Sequence, residues 1–267
     1  MKNVNKWLMS LPILALGVSS LMVTVPAAAS ELGQKGKVVV EGSGTTKPVD
    51  PENPGVDVDP GEGPSTEGTL RIDYASALNF GRAQITETDR TYYAQAQLFH
   101  DETEARGSYI QITDERNGSY GWTLQVKQVT QLTNPVIQEK ENQELTGATL
   151  SLDNGWANSF GNSPAPTVTR DTIAINQIGE AYEVARAEAN QGMGTWTIEF
   201  GAAPTNTSNQ PATLTPLTDE AGAPLMDETY QKQAYKNSAI SLKIPDSTII
   251  HPVQYQTEII WILSELP

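Results

Sequence analysis

The sequence predicts an all-β fold, an antiparallel β-sandwich with Greek-key-like connections and at most a short helix. Three observations carry this. From Thr69 onward apolar residues recur at every second position, the period of a strand with one face on a core and one in water. Turn-forming clusters separate the runs, at Arg116-Asn117-Gly118, Asp153-Asn154-Gly155 and Glu220-Ala221-Gly222. Only Ile178–Ala189 shows helical periodicity, and it is weak, so a loop or short helix is expected there.

The strands follow in order. Leu70, Ile72 and Tyr74 alternate with Arg71 and Asp73, and Ile110 and Ile112 with Gln111 and Thr113. Trp122, Leu124 and Val126 alternate with Thr123, Gln125 and Lys127. Ala148, Leu150 and Leu152 form the next run, then Ile173 and Ile175. Trp196, Ile198 and Phe200 face away from Thr197 and Glu199, and Ile240, Leu242 and Ile244 from Ser241 and Lys243. The last run holds Tyr255, Thr257, Ile259, Trp261 and Leu263.

Ahead of this domain lie two segments of different character. Residues 1–29 read as a secretory signal peptide: Lys2 and Lys6, an apolar run from Trp7 to Val25, then Pro26-Ala27-Ala28-Ala29 as an A-x-A cleavage pattern. Pro12 and Gly17 interrupt the run, which argues against an uncleaved anchor. No later run approaches the roughly 18 apolar residues of a spanning helix, so no membrane insertion is expected after cleavage. Residues 30–68 read as an N-terminal tail and a disordered linker, since five prolines and six glycines interleave with acids between 41 and 68. Those acids lack EF-hand spacing and read as solvated charge. The domain proper is expected over 69–267.

Composition narrows the function. The chain has 17 Lys plus Arg against 32 Asp plus Glu. Without residues 1–29 the balance is 15 basic against 32 acidic, a formal charge of −17. That argues against binding to nucleic acid or an anionic membrane by phosphate neutralisation. With no cysteine there is no disulfide, thiolate metal site, thiol nucleophile or lipidated N-terminus. The sequence holds no LPxTG-like pentapeptide with an apolar stretch and basic tail, so attachment to a cell surface is expected to be non-covalent.

Three segments share a Trp-x-aliphatic pattern: Trp122-Thr123-Leu124, Trp196-Thr197-Ile198 and Trp261-Ile262-Leu263. In a strand, the Trp and the residue two along share a face, which makes each a packing device. Gly121-Trp122-Thr123-Leu124-Gln125-Val126 resembles the proximal motif of the WxL cell-wall proteins of low-GC Gram-positive bacteria. Tyr255, Trp261-Ile262-Leu263-Ser264 and Pro267 resemble their distal motif, which also sits at the C-terminus. Leu70-Arg71-Ile72-Asp73-Tyr74 leading to Phe80-Gly81 is similar to the family's opening strand. Ile112-Thr113-Asp114-Glu115-Arg116-Asn117-Gly118 is similar to its Val-Thr-Asp-x-Arg-x-Gly segment. Ile262 departs from the family, which usually has Thr there. The resemblance covers about residues 31–267.

The resemblance implies non-covalent attachment to the cell wall through peptidoglycan, with Trp122, Thr123, Leu124, Trp261, Ile262 and Leu263 as the motif residues. It also implies partners: membrane-anchored proteins with DUF916-type domains and other WxL proteins, in surface complexes. The residues leave two roles open for Trp122 and Trp261. They stack on glycan, or they pack the fold that presents another surface; the regular alternation around both favours packing.

An enzyme is not expected. There is no HExxH, G-x-S-x-G or P-loop, and the only histidines, His100 and His251, read as loop and turn residues. No cofactor or metal is expected. A second functional class remains open: an assembly subunit or adhesin held at the surface by a membrane-anchored partner, without glycan contact. Lys37-Val38-Val39-Val40 would be its candidate donor strand.

Overall fold

The computed structural model describes residues 46–118 and 120–266. The signal peptide read at 1–29 and the Lys37-Val38-Val39-Val40 segment lie outside them. The described residues form 17 strands, all paired antiparallel. The only helical segment among them is a 3-10 turn at Lys140–Asn142. Among the described residues no helix is long and apolar enough to cross a membrane.

One four-stranded sheet contains β3 (Leu70–Ala75), β5 (Ser108–Asp114), β8 (Gly155–Asn158) and β12 (Gly194–Phe200), in the order β3-β5-β12-β8. A second contains β6 (Trp122–Gln128), β9 (Thr167–Val168), β11 (Ala181–Ala187) and β17 (Ile259–Glu265), in the order β17-β6-β11-β9. The two face each other, with β17 against β3 and β9 against β8. A third sheet runs β10 (Ile173–Ile175), β7 (Thr149–Leu152), β16 (Tyr235–Lys243) and β13 (Leu214–Pro216), and β4 (Thr91–Gln95) also pairs with β16. Consecutive strands mostly change sheet, as Greek-key-like connection requires. One such change, from β7 to β8, runs through Asn154, whose φ of 51° is the left-handed conformation that asparagine tolerates. Two short hairpins complete the set: β1 (Val49–Asp50) with β2 (Asn53–Asp57), and β14 (Met226–Asp227) with β15 (Lys232–Gln233).

The core gathers the inward residues of all three sheets. Ile72, Ile110, Ile112, Ile198 and Phe200 come from the first, Trp122, Leu124, Val126 and Val184 from the second, and Leu150, Leu152, Ile175 and Ile240 from the third. All of these but Val184 are residues that the period-two reading selects.

Two segments depart from the sequence reading. Ile178–Ala189 holds no helix; its centre is β11, between β6 and β9. Ala, Glu and Arg favour a helix, but two hydrogen-bonded ladders outweigh that propensity. A bulge between Glu183 and Ala185 lets the adjacent Val184 and Ala185 both be buried, which blurs the alternation.

The second departure is the linker. From Thr46 to Pro60 the chain is folded onto the outer face of the first sheet. That face is polar, and the segment satisfies it. Gln111 donates to the Lys47 carbonyl at 2.9 Å and accepts from the Val49 N–H at 2.8 Å. Asn158 donates to the Pro51 carbonyl at 2.9 Å. Arg71, buried, donates to Asp73 and Glu115 at 2.9 Å each and to the Thr46 hydroxyl at 2.5 Å. Arg106 makes a bidentate pair with Asp50 at 2.7 and 2.9 Å. This segment is held largely by hydrogen bonds and ion pairs, which apolar composition does not register, and by Val58 packed among Tyr74, Phe99 and Tyr109. As a result β5 is buried at every position, and the strand side expected in water is covered.

Beneath the segment lies a buried carboxyl. Oε1 of Glu199 accepts from the Gly107 N–H at 2.7 Å, and Oε2 meets no hydrogen-bond partner among the described residues. Burial pushes this group well above the usual carboxylate range. Glu52 and Asp50 reinforce the rise, while the Gly107 N–H and Arg106 oppose it. Burial likewise raises Glu52, against its acceptance from the Ala203 N–H at 2.6 Å and the nearby Arg106. A carboxyl raised in the fold keeps a proton that it gives up on unfolding. Its contribution is therefore full below the unfolded pKa and is lost as pH rises toward the folded value. Glu199→Gln keeps an acceptor for Gly107 and removes the charge. It is expected to raise stability near neutral pH by on the order of 1–3 kcal/mol and to flatten the fall of Tm from mildly acidic to neutral pH, read by thermal unfolding across that range.

Candidate functional site

The two Trp-x-aliphatic motifs at the chain's middle and end occupy neighbouring strands. β6 and β17 pair antiparallel, with Trp261 opposite Val126, Leu263 opposite Leu124 and Glu265 opposite Trp122. Opposed residues share a face, so Trp122, Leu124, Val126, Trp261 and Leu263 form one inward patch. Thr123, Gln125 and Lys127 point outward beside Ser264, Ile262 and Ile260.

Trp122 and Leu124 are completely buried. The Trp122 indole N–H donates to the Gly192 carbonyl at 3.1 Å. Gly192 has φ of 66°, and a Cβ there would lie 2.7 Å from the indole nitrogen, so glycine is required twice over. Trp261 is partly buried and stacks on Phe200 of the facing sheet, with ring centroids 6.3 Å apart. Leu263 is partly buried against the same core. Trp122 and Leu124 thus offer no surface to a ligand, whereas Thr123 and Ile262 on the outer face and the partly buried Trp261 and Leu263 keep some. The third pattern, Trp196-Thr197-Ile198, lies on β12 in the facing sheet, its indole donating to the Met193 carbonyl at 3.0 Å.

The segment before the first motif ties the two together. Asp114 and Arg116 pair through both carboxylate oxygens at 2.9 and 2.7 Å. Arg116 Nη2 also donates to the Gly121 carbonyl at 3.1 Å, and Nη1 lies 3.7 Å from the exposed Glu265 carboxylate. The Leu266 N–H donates to that same Gly121 carbonyl at 2.9 Å. Gly121 has no room for a side chain, because a Cβ would sit 2.2 Å from the Ala187 carbonyl oxygen. Arg116 therefore joins the entrance of β6 to the exit of β17. From the sequence, Arg116 is only part of a turn signal and Asp114 part of the 112–118 segment; their pairing is visible only in the fold. Nor can Phe200 and Gly192 be paired with their tryptophans from the sequence, since both contacts are long-range.

A family model described as WxL domain surface cell wall-binding matches residues 27–267. The chain belongs to the WxL domain family. Searches of curated proteins and of solved structures find no match. In this WxL domain the described residues contain no group of three His, Cys, Asp or Glu side chains able to hold a metal. His100 packs on Tyr230 with centroids 4.6 Å apart, and the His251 N–H donates to the Tyr255 hydroxyl at 3.0 Å. Asp50 and Glu52 of the N-terminal segment and Glu199 of β12 are buried where the segment meets the sheet.

Trp122→Ala should cost about 3–5 kcal/mol, because the indole leaves a closed cavity and strands the Gly192 carbonyl. Trp261→Ala should cost roughly half as much, since part of that ring already meets water. Urea unfolding midpoints of the two variants test this order.

Proposed function

We propose that this WxL protein is exported with removal of residues 1–29 and attaches non-covalently to peptidoglycan through the domain at 69–267. It acts there as a non-enzymatic binding module within a surface protein complex. The observation that carries the reading is the family match, which describes a surface cell wall-binding domain over residues 27–267. The buried state of Trp122 and Leu124 supports a scaffolding role for the motif. On this reading, Trp122, Leu124, Trp261 and Leu263 hold β6 and β17 in register, and the ligand meets the domain elsewhere. DUF916-type membrane-anchored proteins and other WxL proteins are its proposed partners in the complex.

The net acidity supports specific recognition over bulk attraction, because wall polymers such as teichoic acids are themselves anionic. The purified chain is expected to sediment with peptidoglycan stripped of protein, and raising the salt is expected to leave the retained fraction unchanged or larger. No soluble muropeptides should appear. Retention on whole walls but not on stripped peptidoglycan would instead indicate a chain held by a protein partner. A Trp261→Phe variant, which keeps an aromatic ring against Phe200, should be retained like the natural chain. Lost binding by a variant that remains folded would return the ring to the ligand-contact role.

A further inference from the structure

Away from the paired motifs, the surface carries two hollows side by side. The larger has a volume of about 460 Å³, the smaller about 230 Å³, and Leu98 and Tyr235 line both. They adjoin at these two residues as lobes of one cleft. Its combined size is that of a site for a short oligomer.

The floor of the larger lobe is aliphatic: Leu98, Ala105, Ala203 and Leu214 are buried there as a small separate cluster on which Tyr235 packs. The rim is acidic. Glu102 and Glu104 stand exposed on it; Glu104 accepts from the Thr205 hydroxyl at 3.0 Å and lies 3.8 Å from the Arg106 guanidinium, which leaves Glu102 as the freer carboxylate. The one cation of this lobe, Lys232, is engaged by the loop itself, because its ammonium donates to the Asp101 and Thr103 carbonyls. In the smaller lobe the charged residues are Glu62 and Asp227, both acids. Asp227 is partly occupied in capping a turn, accepting from the Thr229 N–H at 2.8 Å and the Tyr230 N–H at 3.0 Å. The cleft therefore combines a floor suited to small alkyl groups with a negative rim suited to an ammonium.

We propose that this cleft binds the peptide part of peptidoglycan, with small aliphatic side chains on Leu98 and Leu214 and a free diamino-acid ammonium at Glu102 and Glu104. This deepens the peptidoglycan reading above and rests on it. Peptidoglycan joins glycan strands through short peptides rich in alanine and containing a diamino acid. The methyl groups of such a peptide match the aliphatic floor, and its free amine is a wall cation complementary to the acidic rim. Glycan is the poorer fit, since uncharged sugar rings bring no counter-ion to Glu102 and find a mainly aliphatic floor.

The test is an NMR titration of the purified chain with three probes: a synthetic peptide of alanine and lysine, the same peptide acetylated at the lysine side chain, and a peptide-free oligomer of N-acetylglucosamine. The free peptide is expected to shift the Leu98 and Leu214 methyl and Tyr235 ring resonances. Acetylation is expected to weaken binding about tenfold, the worth of one charge-assisted hydrogen bond. The double variant Glu102→Gln, Glu104→Gln should lose a similar factor, and its unchanged Tm would exclude misfolding. Equal binding of acetylated and free peptide, or shifts at these resonances by the sugar oligomer alone, would overturn the assignment. If stripped peptidoglycan retains the chain while the peptide leaves these resonances unmoved, the cleft assignment fails and the peptidoglycan reading stands. If the peptide binds as described but stripped peptidoglycan retains nothing, the peptidoglycan reading fails alone.

Discussion

When Ile259–Glu265 pairs with Trp122–Gln128, the register decides which side chains enter the core. A slip of one residue would turn Trp261 and Leu263 outward and bring Ile260 and Ile262 in. The structure guards this register at one end through Gly121, whose carbonyl accepts both the Arg116 guanidinium and the Leu266 N–H. Arg116 itself is aimed by the bidentate Asp114 pair. Further along, Trp261 rests on Phe200, so the same register also fixes how the two facing sheets meet. Sheet order and the fit between sheets are two expressions of one strand pairing.

The opposite face of the first sheet follows a different rule. Arg71, Gln111, Thr113, Thr197 and Glu199 are all buried there, beside a small cluster of Val58, Tyr74, Phe99 and Tyr109. Thr113 donates to the Asp73 carboxylate at 2.6 Å, which also pairs with Arg71 at 2.9 Å. Such a layer is specific, because each group has a designated partner and a mismatch strands a buried polar atom. Glu199 is the member least well served, with one carboxyl oxygen unpartnered among the described residues. The N-terminal segment is thus an outer layer of the domain, joined to it mainly by polar complementarity, with Val58 packed among Tyr74, Phe99 and Tyr109 as its apolar anchor.

The alternation of Leu70 to Tyr74, Trp122 to Val126 and Trp196 to Phe200 was sufficient to read strands, core faces and the all-β class. It worked because a sandwich core imposes period two on whatever faces it. It failed at Ala181–Ala187, where a bulge breaks the period and Ala and Glu imitate a helix. It failed again at 46–60, because hydrogen bonds to a distant sheet leave no periodic trace in a Pro-rich segment. The two motifs were legible as a pair by their pattern, but their adjacency on neighbouring strands was not. Nor was the cleft around Tyr235, whose walls come from residues far apart in the chain: Glu62, Leu98, Leu214 and Asp227.

The pairing of β17 with β6 also has a kinetic meaning. Leu124 waits for Leu263, so the second sheet cannot be completed until its last strand has been synthesised. Contacts of such long range close slowly, since the loop entropy must be met before the contact rewards it. Until then Leu124, Val126 and Phe200 lack the cover that β17 brings, and the β6 edge is open to pairing with other chains. A chain cut short before Ile259 would meet the same fate permanently. The fold therefore favours whole chains over fragments, and a segment only a few residues long decides whether the product is a domain or an aggregate.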